Sequence, residues 1–279
     1  MIPAAAVPAR PTDAVRLGVV MLCHDQIPIA TRMAKVWSDG GTAVAIHVDA
    51  KVAPSVVATM ATDLQDCARL FMSPRHACEW GTFSLVRATL DAAALILAEC
   101  PELTHVMTVS GSCLPLRPVA DLTAFLAQHP TRDFIESVTA EDVGWTVGGL
   151  NEERFTLRFP FAYRKRRKLF DRYVDFQRRW RLKRRIPDGL VPHLGSQWWC
   201  LTRATLEAIL TDPRRAEFDR YFRMVWIPDE SYFQTLARRH ATRIESHSLT
   251  LAKFDHDGRP YQLYDDHALM LEESRCFVA

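Results

Sequence analysis

Three continuous apolar runs, "VRLGVVMLC", "TAVAIHVD" and "THVMTVSG", each break off at polar residues, and each is followed by a segment of different periodicity. Strands that are apolar on both faces must be covered on both, which is the condition of a parallel sheet flanked by helices. Between the first two runs, "IPIATRMAKVW" carries helical spacing until "GG" interrupts it. A weaker run, "ARLFMS", precedes a long amphipathic segment, "TFSLVRATLDAAALILAEC". Strand and helix in alternation predict an α/β fold with a mostly parallel sheet, and ligands of such sheets bind beyond the carboxyl ends of the strands. His24, Asp49 and Ser110 stand at three of those ends. Neither GxGxxG nor GxxxxGK[ST] occurs at any of them, so the common dinucleotide and P-loop readings fail.

A chain of 279 residues with 48% hydrophobic content can bury a substantial core. Its longest apolar run, "AAALILA", is far short of a membrane span, and "MIPAAAVPARPTDAVR" lacks the layout of a signal peptide. Seven cysteines, an odd number with no CxxC pair, argue against a disulfide framework or zinc knuckle and for a reducing, cytoplasmic setting. Charge is uneven: Arg164 to Arg185 holds twelve Lys/Arg against Asp171 and Asp175, a net of +10 in a chain whose total is +2. That asymmetry predicts a solvated basic face or a local anionic partner, either an anionic acceptor or a membrane surface met peripherally. No nucleic-acid motif accompanies it, so nucleic acid is not expected.

The stretch "WIPDESYFQTL" sets two carboxylates directly after a proline. Pro228 suits a first helical position, and acids in the first turn favour the helix dipole. At roughly 100° per residue, Tyr232, Phe233, Leu236 and Ala237 share an apolar stripe. Asp229 lies over the middle of that stripe and is expected to cap backbone N–H groups. Glu230 lies at its edge, where it can reach a cleft.

Taken in order, "CHDQIPIATRMAK", "IHVDAK", "CEWGTFSLVRATL", "SGSCLPL", "DFIES", "GSQWWCLTR" and "PDESYFQTL" resemble the core-2/I-branching β-1,6-N-acetylglucosaminyltransferases. These form glycosyltransferase family 14, which also includes peptide O-xylosyltransferases. The resemblance runs from about Arg16 to the last residue. It implies a single GT-A-like domain, a UDP-sugar donor, inversion at the anomeric carbon and no required metal or other cofactor. Its Pro-Asp-Glu motif implies that Glu230 is the general base, held ionised near a helix N-terminus.

On the donor side Asp49 looks like the family's ribose or uracil contact, with Lys51 and His24 beside it. Arg75 and Trp80 resemble the segment lining the donor sugar, Trp80 being able to stack on a pyranose. Ser110 and Gly111 would turn against the donor. On the acceptor side Glu136 matches a position that hydrogen-bonds a sugar. In "GSQWWC" an extended backbone sends Trp198 and Trp199 to opposite faces, with Gln197 and Trp198 expected at the cleft and Trp199 in the core. The usual DxD place carries only "HVDAK", and "DHD" (Asp255 to Asp257) followed by Gly258 reads as a turn rather than a metal site.

The resemblance divides the chain into a tail (1–14), a nucleotide-sugar half (15–140), a basic helical segment (141–190) and an acceptor and catalytic half (191–279). It implies transfer of a sugar, most readily GlcNAc, to a glycan hydroxyl. Alternatives are a UDP-xylose-dependent enzyme and a catalytically impaired glycan-binding scaffold. The scaffold is motivated by a departure: relatives carry a Phe-Ala-Arg-Lys-Phe-like motif that grips the diphosphate, whereas this chain reads "SRCFVA" to Ala279. The expectation is a fragment, or else substitution by Arg275, Lys253 or Arg259.

Overall fold

The protein is described by a computed structural model over residues 16–142, 150–253 and 267–279. Strands β1 (Leu17–Cys23), β2 (Ala43–Val48), β3 (Leu70–Met72) and β4 (His105–Ser110) lie parallel, β1 between β2 and β4. Short strands β5 (Asp133–Phe134), β8 (Cys200–Thr202) and β9 (Ile244–Glu245) extend the same sheet in the order β3-β2-β1-β4-β8-β5-β9. Of these, β8 runs against both of its neighbours, β4 and β5, while β9 is parallel to β5. The second half of the chain therefore completes the sheet begun by the first. Strands β6 (Val138–Thr139) and β7 (His193–Leu194) form a separate antiparallel pair.

Burial on both faces explains the unbroken apolar runs. Val20 faces one core with α3 (Phe83–Glu99), while Val19 and Met21 face the other with α1 (Ile27–Asp39). Pro28 sits in the first turn of α1, where its missing N–H costs nothing. Thr82 opens α3 by accepting a hydrogen bond from the Ser84 N–H at 3.5 Å. The buried Ala88, Ala92 and Ala93 let α3 lie close against the sheet. Helices α2 (Pro54–Asp63) and α4 (Val119–Ala127) contribute to the α1 side. Helices α7 (Arg203–Leu210), α8 (Arg215–Phe222) and α9 (Tyr232–His240) build the α3 side.

A third, smaller core joins the basic segment to the rest. Phe170 and Val174 of α6 (Arg167–Arg179) pack with Phe159, Trp226 and Ile227, beside the short α5 (Glu153–Thr156). The seven cysteines are all unpaired. Residues 277–279 lie between Leu114–Leu116 and Leu249–Leu251, tied by backbone hydrogen bonds to both.

One local expectation is corrected. Pro228–Glu230 is a separate 3-10 turn, and Ser231 (φ −148°, ψ −23°) breaks it from α9, which begins at Tyr232. Tyr232, Phe233, Leu236 and Ala237 are buried, but so are Gln234 and Thr235, because this helix is covered nearly all round.

Candidate active site

Parallel pairing aligns Cys23 with Val48 and Leu22 with Ser110, so His24, Asp49 and Ser110 emerge side by side at the strand tips. Asp49 is buried at 4% exposure and fastens the next segment: its Oδ1 accepts from the Lys51 N–H at 2.8 Å, its Oδ2 from the Cys78 N–H at 3.1 Å. Arg75 donates through Nε to the Val48 carbonyl at 3.2 Å and through Nη2 to those of Asp49 and Val52 at 2.9 and 2.5 Å. The two side chains thereby hold the loop carrying Cys78, Glu79 and Trp80 against the end of β2. Lys51 pairs with Glu79 at 2.9 Å, while His24 stands exposed. The Ser110 hydroxyl is shared with Ser112 and Cys113 at 3.0 and 3.1 Å. At Gly111 a Cβ would meet the Ala30 Cβ at 2.7 Å, so the turn after β4 closes onto α1 only with glycine.

Trp80 connects this loop to the proline turn. Its ring lies 6.3 Å from Trp226, edge to face, and Arg164 stacks over it at 4.9 Å. The Ile227 N–H donates to the Gly81 carbonyl at 3.2 Å. The loop of Cys78, Glu79 and Trp80 and the carboxylate turn are thus neighbours.

Glu230 keeps about a quarter of its side chain exposed, and its Oε2 accepts from Arg154 Nη1 at 3.1 Å. Arg154 itself is fully buried, stacked over Trp226 at 5.5 Å. Burial raises the Glu230 carboxyl above the ordinary carboxylate range, Arg154 draws it back, and the nearby Glu136 carboxylate adds to the rise. The expectation that a helix N-terminus alone holds Glu230 ionised is therefore corrected: the turn is detached from α9, and a buried guanidinium supplies the opposing charge. Nothing in "NEERF" marks Arg154 as such a partner, since its role arises only once α5 folds under the turn.

Asp229 does not cap α9, whose first turn receives no side-chain hydrogen bond. Its Oδ1 is buried without a hydrogen-bond partner among the described residues, and Asp229 helps line a small cavity with Leu22, Thr89, Thr108, Gln197 and Trp198. Burial, and then the Glu230 charge beside it, push Asp229 up to about 7. Both carboxyls are thus raised by burial, but Glu230 is hydrogen-bonded to Arg154 whereas Asp229 feels that guanidinium only through space.

Gly195 draws the remaining groups together. Its N–H donates to the Glu230 carbonyl at 3.0 Å, and a Cβ there would stand 1.8 Å from the Glu136 carbonyl oxygen. Glu136 Oε2 accepts from the Ser196 N–H at 2.9 Å. The Gln197 carbonyl accepts from the Thr108 hydroxyl at 3.2 Å, which secures the segment to β4. Trp199 is 1% exposed and lies 4.8 Å from Phe233, while Trp198 is half-buried and borders the Asp229 cavity. Among the described residues no three His, Cys, Asp or Glu side chains gather as a metal site. The "DHD" stretch and Arg259 lie outside the described residues, and Arg275 is exposed. Lys253 is exposed too, its Nζ 3.8 Å from the Met270 sulfur. No helix among the described residues is long and apolar enough to cross a membrane.

The sequence has relatives among known proteins. Rat xylosyltransferase 2 (Rattus norvegicus) is 29% identical over 162 residues, 56% of this chain and 17% of its own length. Its human counterpart (Homo sapiens) is 28% identical over the same span. A xylosyltransferase of Ciona intestinalis is 23% identical over 230 residues, 80% of this chain and 25% of its own. The chain thus spans a quarter or less of the length of these relatives. The sequence profile described as Core-2/I-Branching enzyme matches residues 20–274. With its mostly parallel sheet covered by helices, the chain is a GT-A-like α/β domain and belongs to the Core-2/I-Branching enzyme family, glycosyltransferase family 14.

Proposed function

We propose that this protein is an inverting glycosyltransferase that moves a sugar from a UDP-sugar to a hydroxyl of a glycan, with Glu230 as general base. The observation that carries the reading is the Glu230 carboxyl, a quarter open, fixed by Arg154 at 3.1 Å and within electrostatic range of Glu136. In the transfer, the acceptor oxygen attacks the anomeric carbon on the face opposite the diphosphate. The new C–O bond forms as the bond to UDP breaks, the acceptor proton passes to Glu230, and UDP leaves with the electron pair. A carboxylate whose basicity burial has raised takes that proton more readily, provided a neighbouring cation keeps it charged beforehand.

In this scheme His24, Lys51 and Ser110 meet the nucleotide at the strand tips, while Asp49 and Arg75 act on the donor by fixing the loop whose Trp80 borders the donor sugar. Glu136, Gln197 and Trp198 meet the acceptor. Fixed cations offset the charge developing on the diphosphate without a metal ion or other cofactor. The donor sugar is GlcNAc, as the family resemblance implies, or xylose, which the names of the curated relatives favour.

A panel of UDP-sugars incubated with a glycan acceptor and a chelator tests the reading through UDP release. We expect release from UDP-GlcNAc or UDP-xylose at a rate the chelator leaves unchanged. Silence across the panel, together with no calorimetric heat on adding UDP, would favour a glycan-binding scaffold instead. Loss of release on chelation would contradict the metal-free scheme.

A further inference from the structure

Helix α6 buries Phe170, Val174 and Gln177, yet carries a second apolar stripe that faces outward. At roughly 100° per residue, Leu169, Tyr173, Phe176 and Trp180 fall about a quarter-turn from the buried stripe. Leu169 is 41% exposed, Phe176 49% and Trp180 64%. The Phe176 ring lies 6.3 Å from Tyr173 and 6.4 Å from Trp180, so the side chains form one continuous ridge. Leu182, just past the helix end, is also exposed. Single exposed apolar side chains are ordinary, but an aligned row of this kind marks an interaction surface.

The charges are sorted around the ridge. Lys168, Arg172, Arg179 and Arg181 are exposed, with no carboxylate within 4.0 Å among the described residues. At roughly 100° per residue Arg172, Arg179 and Lys168 follow the ridge on its solvent side, Asp175 comes next beyond them and Asp171 farther still, where Arg178 and Arg167 face these acids at 3.9 and 4.0 Å. The solvent-side border of the ridge is therefore cationic, with the two acids behind it. Apolar row, aromatic ring at one end and uncompensated cations alongside are the requirements of a helix lying in a bilayer interface, with the Lys and Arg stems reaching toward phosphate headgroups. A nucleic acid would use the cations but leave Leu169 and Leu182 without a role.

We propose that α6 and the turn after it dock this protein on an anionic phospholipid surface, the Leu169–Trp180 ridge entering the headgroup boundary and Lys168, Arg172, Arg179 and Arg181 meeting lipid phosphates. The buried stripe of the same helix rests on Trp226, two residues before Pro228. Docking would thus bring to the lipid surface the helix that packs against the residues leading into the carboxylate turn.

Co-sedimentation of the full chain with phosphatidylcholine vesicles, with and without phosphatidylglycerol, tests this. The expected result is binding to the anionic vesicles alone, weakening as salt is added. Phe176→Ala/Trp180→Ala and Arg172→Glu/Arg179→Glu should each weaken it about tenfold or more. Melting temperatures of both variants should match the parent, because the altered side chains are exposed. Absence of binding to anionic vesicles overturns the proposal, as does equal binding to neutral ones. Binding that survives the Phe176/Trp180 change, or a single-stranded oligonucleotide that displaces the vesicles from that variant, would assign the surface to a soluble polyanion.

Discussion

At Glu230 the competing influences are burial, which favours the neutral carboxylic acid, and the buried Arg154 guanidinium, which favours the charged form. A base that must be ionised to work then loses activity on the acid side, with a midpoint above the usual carboxylate value of about 4.3. Removing the cation in Arg154→Met should move that acid limb to higher pH, since only the raising influences remain. A pH profile of kcat/KM checks it; an unmoved limb would mean that Arg154 does not tune the base. Asp229 gives a stability prediction. Its folded pKa of about 7 stands above an unfolded value of about 3.9, so its stabilising contribution is complete below about pH 4 and disappears as pH rises through about 7. Asp229→Asn should therefore flatten the fall in melting temperature between about pH 4 and 7. A variant that retains the parent's slope would place the titration elsewhere.

Elements were legible in the sequence where one physical demand dominated. The runs around β1, β2 and β4 stand out because both faces are buried, and α3 because its apolar positions recur at helical spacing. Strands β5 to β9 are two or three residues long, too short for any periodicity to register. The Pro-Asp-Glu turn reads in the sequence as a helix start because Pro228 and the two acids satisfy the same local preferences in either case. The break at Ser231 is imposed from outside, by Gly195 donating to the Glu230 carbonyl and by Gly81 accepting from Ile227. Gly195→Ala tests that constraint. Its Cβ would stand 1.8 Å from the Glu136 carbonyl, so a loss of stability on the order of 3 kcal/mol or more is expected on denaturant titration. A near-neutral result would show that the Glu136 and Glu230 segments can separate freely.

Across the whole molecule, the strand-tip loops of the first half meet the Gly195 segment and the carboxylate turn because the second half adds β8 and β9 to the sheet of the first. Strand ends pointed to His24, Asp49 and Ser110, and order-dependent motifs pointed to Glu230, Glu136 and Trp198. Arg154 and the orphaned oxygen of Asp229 were out of reach, because both depend on packing between segments far apart in the chain. The third core ties the basic helix to the residues just before Glu230, so the proposed docking face and the proposed chemistry are mechanically joined. The central claim is that Glu230 removes the acceptor proton, and Glu230→Gln tests it most directly. With turnover followed on the active UDP-sugar and UDP affinity followed by calorimetry, the account predicts a fall in kcat of about a thousandfold with UDP binding almost unchanged; turnover close to that of the parent protein would contradict it.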